Sequence, residues 1–442
     1  MHRHALVLAL ATSITSTSTL AAQQRAGEFN ADIDRLATLV NPKVVEWRRD
    51  LHQNPELGNR EFRTSAKVAE HLRGLGLEVR TGVAHTGVVG VLRGGRPGRT
   101  VALRADMDAL PVTEMVDVPF ASKVRAEYNG REVGVMHACG HDNHVAILMG
   151  VAEVLASVRE RLPGNVLFVF QPAEEGAPEG EDGGAGLMLR EGVFADPKPE
   201  AIFGLHVWPN AVGTIQVRPQ GAMAASDPLW IKIVGKQTHG ALPWGGVDPI
   251  VAASQVVLGL QAIVSRQSDL TKAPAVVTIG TIEGGVRSNI IPDSVVMTGT
   301  IRTFDDAMRS DIHARIRRTA EQIAAASGAE AEVRIAEVGN PVTYNDPDLT
   351  RWALPSLERA AGSGAVSESP PVTGAEDFSL YQKQIPGVFF FLGVNPDGRT
   401  PQPNHSPLFY ADEGALPVGV KALARLAVDY LLDHPRGVSQ DR

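Results

Sequence analysis

Apolar and polar positions follow several distinct rhythms along this chain. Between residues 28 and 53, Ile33, Leu36, Leu39, Val40, Val44, Val45 and Leu51 recur at the spacing of one helical face. A second amphipathic segment, 61–76, is stopped by Gly74 and Gly76. Short, nearly continuous apolar runs follow: "TGVVGVL", "TVALRA", "NVLFVFQ", "AIFGLHV" and, much later, "GVFFFLGV". Runs of this length predict strands buried on both faces, in a sheet covered by helices. A helix from near Asn143 towards Val158 supplies one cover, with Asp142 or Asn143 suited to its N-cap.

The stretch 221–338 has a different texture. "PLWIKIVGK" reads as a strand, "DPIVAASQVVLGLQAIVSRQ" as a helix, and "AVVTIGTIEGG" and "SVVMTGTIRTF" as two strands. A helix, "AMRSDIHARIRRTAEQIAAAS", and a strand, "AEVRIAEV", complete the set. That order predicts a compact α+β unit with its helices on one sheet face. The expected organisation is an α/β domain of 28–220 and 339–436, interrupted by an inserted domain at 221–338. "GAPEGEDGGAG" (176–186), beside "PAEE", reads as a loop on the rim of a site.

Composition changes this picture in three places. A chain of 442 residues exceeds one ordinary core, which agrees with two domains. A formal net charge of −8 argues against a nucleic-acid partner, and no apolar run is long enough to span a bilayer. The start, "MHRHALVLALATSITSTSTLAAQQ", has a basic residue, an apolar stretch and small residues near Ala21 and Ala22. It is the layout of a signal peptide over residues 1–22, so export to a bacterial periplasm is expected.

The single cysteine sits in the densest chemistry of the chain, "HACGHDNH" (137–144). Cys139 and His141 can face one way on an extended backbone, with Gly140 allowing a tight path. Four more clusters lie at or after strand-like runs: Asp106 and Asp108, Glu174 and Glu175, His206, and His405. The ends of such strands form the usual ligand crevice of an α/β sheet. Thiolate, imidazole and carboxylate make up the ligand set of zinc and neighbouring metals. The glutamate pair can divide the work between general base and ligand. A thiol nucleophile would leave the glutamates, His206 and His405 without a purpose, so the metal reading is preferred.

Taken together, "ALRADMDALPVTE", "HACGHDNH", "FQPAEEG…GGAGLM", "GLHVWP", "SNIIPD", "TGAEDFS" and "NHSPLF" resemble the metal-dependent amidohydrolases related to aminoacylases. The likeness, spanning about residues 40–435, is to the branch of hippurate hydrolases and auxin–amino acid conjugate hydrolases. It implies a zinc-peptidase-like α/β catalytic domain with a mixed sheet and an inserted α+β lid that mediates dimerisation. It also implies two divalent ions per subunit (zinc, manganese or cobalt), with Cys139 bridging and His141, Glu175, His206 and His405 as terminal ligands. Glu174 matches the general base and Asp108 the aspartate that orients a ligand histidine. In the lid, His239 matches the residue that stabilises the tetrahedral intermediate, often across a homodimer. Asn289 matches a substrate contact, and Arg302 is the expected partner of a substrate carboxylate. The implied substrate is an N-acyl or N-aroyl amino acid or a short peptide. The chain departs from the pattern at Gln237 and Thr238, at Asn143 and Val145, and at Trp244, which adds an aromatic to the lid.

Overall fold

The computed structural model describes residues 5–335 and 339–433, with side chains from Gly27 onward. The leader expected at 1–22 lies outside the described side chains. The chain divides into two compact units. One comprises residues up to Val217, Asn345–Ser369 and Tyr381 onward; the other is Arg218–Tyr344 with Pro370–Leu380.

The first unit is built on an eight-stranded mixed sheet. Its order is Glu78–Val83, Gly87–Arg93, Pro163–Gln171, Arg96–Asp106, Ala201–Ala211, Gly387–Asn395, Ile215–Val217 and Val366–Glu368. The four central strands, Pro163–Gln171 to Gly387–Asn395, are mutually parallel. They coincide with the apolar runs of the sequence, because both faces are covered: Val101–Ala105 and Val388–Val394 are buried without a break. Helices Ala5–Gln53, His141–Ser157 and Leu416–Asp433 pack on one another, and the last two also lie on Arg96–Asp106. The helix His141–Ser157 is apolar nearly all round and is buried accordingly.

That helix corrects one expectation. Its N-cap is Gly140, at φ +89°, and not Asp142 or Asn143. The Asp142 carboxylate is already taken by Arg48 Nε at 2.9 Å and His52 Nδ1 at 2.8 Å, so it cannot turn back to cap the backbone.

In the second unit, an antiparallel sheet runs in the order Ala275–Glu283, Ser294–Thr303, Ala225–Val234, Glu330–Ile335. Leu229, Ile231 and Ile233 alternate inward and pack on the helices Pro249–Ala262 and Asp306–Ala326. Both helices start at aspartate caps, Asp248 and Asp305. The unit is larger than the expected 221–338. Ser226 N–H donates to Asn340 O at 2.9 Å, and Val372 N–H donates to Ala222 O at 3.0 Å. Backbone pairings at that sequence separation leave no periodic signal in the chain.

Candidate metal centre

The central parallel strands deliver their carboxyl ends to one place. Asp106 closes one strand and is followed by Asp108, while Gln171 closes its neighbour and is followed by Glu174 and Glu175. His206 lies within the third strand, and the loop after Asn395 carries His405. Cys139 and His141 arrive from the loop that opens the central helix. Gly140 between them is required twice over. Its φ is +89°, and a Cβ there would lie 2.3 Å from Val207 Cγ2.

Two donor groups share the thiol. Cys139, His141 and His206 present atoms within 4.8 Å of one another, and so do Cys139, Glu175 and His405. Cys139 Sγ is 3.3 Å from His206 Nε2, and His405 Nε2 is 3.1 Å from Glu175 Oε1. His141 donates from Nδ1 to Asp108 Oδ1 at 3.2 Å, which leaves its buried Nε2 without a hydrogen bond and 4.0 Å from Glu175 Oε1. His206 donates from Nδ1 to Val207 O at 2.7 Å, which turns Nε2 towards the thiol. An imidazole held at one nitrogen with the other aimed at neighbouring donors suits a metal ligand. Thiol, imidazole and carboxylate donors so arranged fit divalent transition ions.

Electrostatics points the same way. Burial, then Glu175 and Glu174, push the Cys139 thiol well above its ordinary range, so by itself it stays a neutral thiol and a poor nucleophile. Burial pulls His141 down, but Asp106, Asp108 and Glu175 outweigh it and raise it to about 10. Burial would raise Glu175, yet His405 and His141 keep it below the usual glutamate value. Negative charge therefore predominates around the donors, as a cation site needs.

Other conspicuous residues stand outside the two groups that share the thiol. His144 donates from Nδ1 to Asp106 Oδ1 at 2.5 Å and accepts Val207 N–H at Nε2 at 2.8 Å, so neither nitrogen is free for an ion. Arg104 completes that network, 2.5 Å from Asp106 Oδ2. His137 is buried with both ring nitrogens unpartnered, and burial pulls it down to about 3. Glu174 is half-buried next to Glu175 and joins it and His141 in a further donor group.

In the second unit, His239 and Asn289 come together. His239 pairs with Ile290, and Gly240 N–H donates to Asn289 O at 2.8 Å. Both are exposed, as is Trp244. Arg302, half-buried, pairs across the sheet with Ser226 and Val276.

Sequence reasoning missed Asn404. Its Nδ2 donates to Cys139 O at 3.1 Å and to Val207 O at 3.3 Å, tying the His405 loop to two other donor-bearing segments. His405 N–H adds a bond to Ala138 O at 2.8 Å. The one signal for Asn404 in the chain is its place directly before His405.

A helix-covered mixed sheet whose central parallel strands gather thiol, imidazoles and carboxylates at their ends defines a zinc-peptidase-like metallohydrolase. The chain belongs to peptidase family M20/M25/M40, whose sequence profile matches residues 102–429, and it is a metal-dependent amidohydrolase. It is 42% identical over 392 residues to thermostable carboxypeptidase 2 of Saccharolobus solfataricus, covering 88% of this chain and 95% of that one. It is 40% identical to N-acetylcysteine deacetylase of Bacillus subtilis, covering 87% and 96%. Among solved structures, the YXEP protein of Bacillus subtilis, described as a dinuclear metal-binding peptidase of family M20, superposes with a TM-score of 0.75. That match is 37% identical and covers 89% of this chain and 99% of that one.

Proposed function

We propose that this enzyme hydrolyses the amide bond of N-acyl or N-aroyl amino acids with the help of two divalent ions, which Cys139, His141, His206, Glu175 and His405 would hold. His141 and His206 would serve with Cys139 as one set of donors, and Glu175 and His405 with it as the other. The observation that carries the reading is the sharing of Cys139 by two donor groups, with Glu174 adjoining both Glu175 and His141. When bound, such ions lower the pKa of a water and polarise the acyl carbonyl.

The chain's own residues do the rest. Glu174 takes the proton of the attacking water on a carboxylate oxygen and returns it to the leaving nitrogen. Asp108 fixes the orientation of His141 through Nδ1 and accepts Glu175 N–H at 2.9 Å, so one carboxylate steadies two ligands. His239 is assigned to the oxyanion, from its own or a partner subunit, with Asn289 and Arg302 as substrate contacts. The second unit serves as lid and dimerisation domain, and the enzyme is exported.

The test is a screen of N-acetyl and N-benzoyl amino acids against dipeptides, with Zn²⁺, Mn²⁺ or Co²⁺ added in turn. Turnover of the acyl amino acids is expected. A marked preference for dipeptides would favour peptidase activity, which the name of the carboxypeptidase relative makes the second reading. No turnover with any ion would sink both.

A further inference from the structure

Glu61 lies in "ELGNREF", far in sequence from every donor, and its side chain is fully buried. Both carboxylate oxygens are used. Oε2 accepts Thr86 Oγ1–H at 2.5 Å, and Oε1 accepts the N–H of Ala173 at 2.9 Å. Ala173 directly precedes Glu174 and sits at φ +50°, a conformation disfavoured for a residue with a Cβ. An outside partner is needed to hold such a turn.

The neighbours of Glu61 grip the same loop. Gly58 packs so closely that a Cβ there would come within 2.7 Å of Gly176 O and 3.2 Å of Ala173 Cβ. Asn59, buried and at φ +59°, donates to Glu181 Oε2 at 3.1 Å and Asp182 O at 3.0 Å. Arg60 reaches Glu181 with two nitrogens, at 2.6 and 3.1 Å. Residues 58–61 thus hold the loop 173–182 at both ends, and that loop carries Glu174 and Glu175.

Burial, and then the charge of Asp108, push the Glu61 carboxyl up to about 8. A buried carboxyl costs stability unless it is hydrogen-bonded. Here the bonds hold a hydroxyl and one strained turn.

We propose that Glu61 is a positioning residue: through Ala173 N–H it fixes the turn that aims Glu174, with Gly58 and Asn59 as the rest of the clamp. The catalytic half of this inference rests on Glu174 being the base; the structural half stands without it.

The experiment compares wild type, Glu61→Gln, Glu61→Ala and Gly58→Ala as full-length, metal-loaded protein. Glutamine keeps an acceptor for Ala173 N–H, whereas alanine removes it. Amide hydrogen exchange in peptides spanning 173–182 should rise about tenfold in Glu61→Ala and Gly58→Ala, with the central strands unchanged. In Glu61→Gln it should stay within about threefold of wild type. With an N-acyl amino acid, kcat of Glu61→Ala should fall about tenfold or more with KM nearly constant, and Glu61→Gln should restore most of it.

Unchanged exchange in the loop, or a uniform rise across the molecule, overturns the clamp. A loosened loop with undiminished kcat overturns its role in aiming Glu174. If wild type turns over no acyl amino acid, the functional reading fails, and exchange still decides the clamp.

Discussion

At the scale of single residues, the thiol of Cys139 decides the chemistry. A nucleophilic cysteine needs stabilisation of its anion by positive charge; this one is buried against two glutamates, and its proton is held more tightly than usual. Only a cation would reverse that preference, and the same two glutamates then become its counter-charges. Glu174 is the side chain with no assigned part in holding an ion. Glu174→Gln should therefore lower kcat by about a thousandfold, within the usual range for a lost general base, while the protein keeps its metal. Activity assays paired with metal analysis check this; metal loss on substitution would make Glu174 a ligand instead. Much of this scale was legible in the chain, because motifs of ligand type keep donors within a few residues of one another. Glu61 and Asn404 were not legible. Each acts on a backbone group remote in sequence, and neither falls in a cluster of like chemistry.

At the scale of elements, buried polar pairs fix how helices and strands meet. Asp227, fully buried in the strand Ala225–Val234, receives Arg309 at 2.5 and 2.8 Å and His313 at 3.0 Å from the helix Asp306–Ala326. Burial alone would raise its carboxyl, but the bonds from His313 and Arg309 outweigh it and hold it below the ordinary 3.8. A carboxylate with a depressed folded pKa adds stability above its unfolded value and loses it as pH falls through the folded one. Asp227→Asn should thus lower the Tm at neutral pH, and the gap from wild type should close as pH drops below about 4. Thermal melts across that range would show it; a gap that does not depend on pH would mean the pairing is energetically idle. The strands and helices themselves were plain in the sequence, since periodicity reports burial face by face. The N-cap was misread, because a capping aspartate and an ion-paired one look alike until their partners are placed.

At the scale of the molecule, two consequences are open to measurement. Ions that bind only the folded state should stabilise it by about 4 kcal/mol at a thousandfold excess over Kd. Removal by a chelator should lower the Tm, and Zn²⁺, Mn²⁺ or Co²⁺ should restore it; an unchanged melt would contradict a site built from these donors. The second concerns association. In the second unit, the strand Ala275–Glu283 is an edge with Val276 and Ile282 exposed, and the helix Pro249–Ala262 exposes Ile250, Val251 and Leu258. An open edge beside apolar side chains suits pairing with a second copy. Leu258→Lys with Ile282→Lys should shift the proposed homodimer towards monomer in sedimentation experiments. If His239 acts across that dimer, mixed Glu174→Gln and His239→Ala subunits should regain about a quarter of wild-type activity, one competent site in half of the pairs. No recovery in verified heterodimers would place His239 in its own subunit's site.

The chain by itself determined the classes of element, the strands buried on both faces, the presence of a second α+β unit and the donor-bearing motifs. These are properties of local spacing: burial imposes period on side chains, and ligands cluster where strands end. Only the tertiary structure gathered around Cys139 the two donor groups that the family resemblance implied. It also showed His144 spent on Asp106 and Val207, and residues 58–61 gripping the loop of Glu174. Those facts depend on distances between segments dozens to hundreds of residues apart. Packing fixes such distances, and no pattern along one segment encodes them.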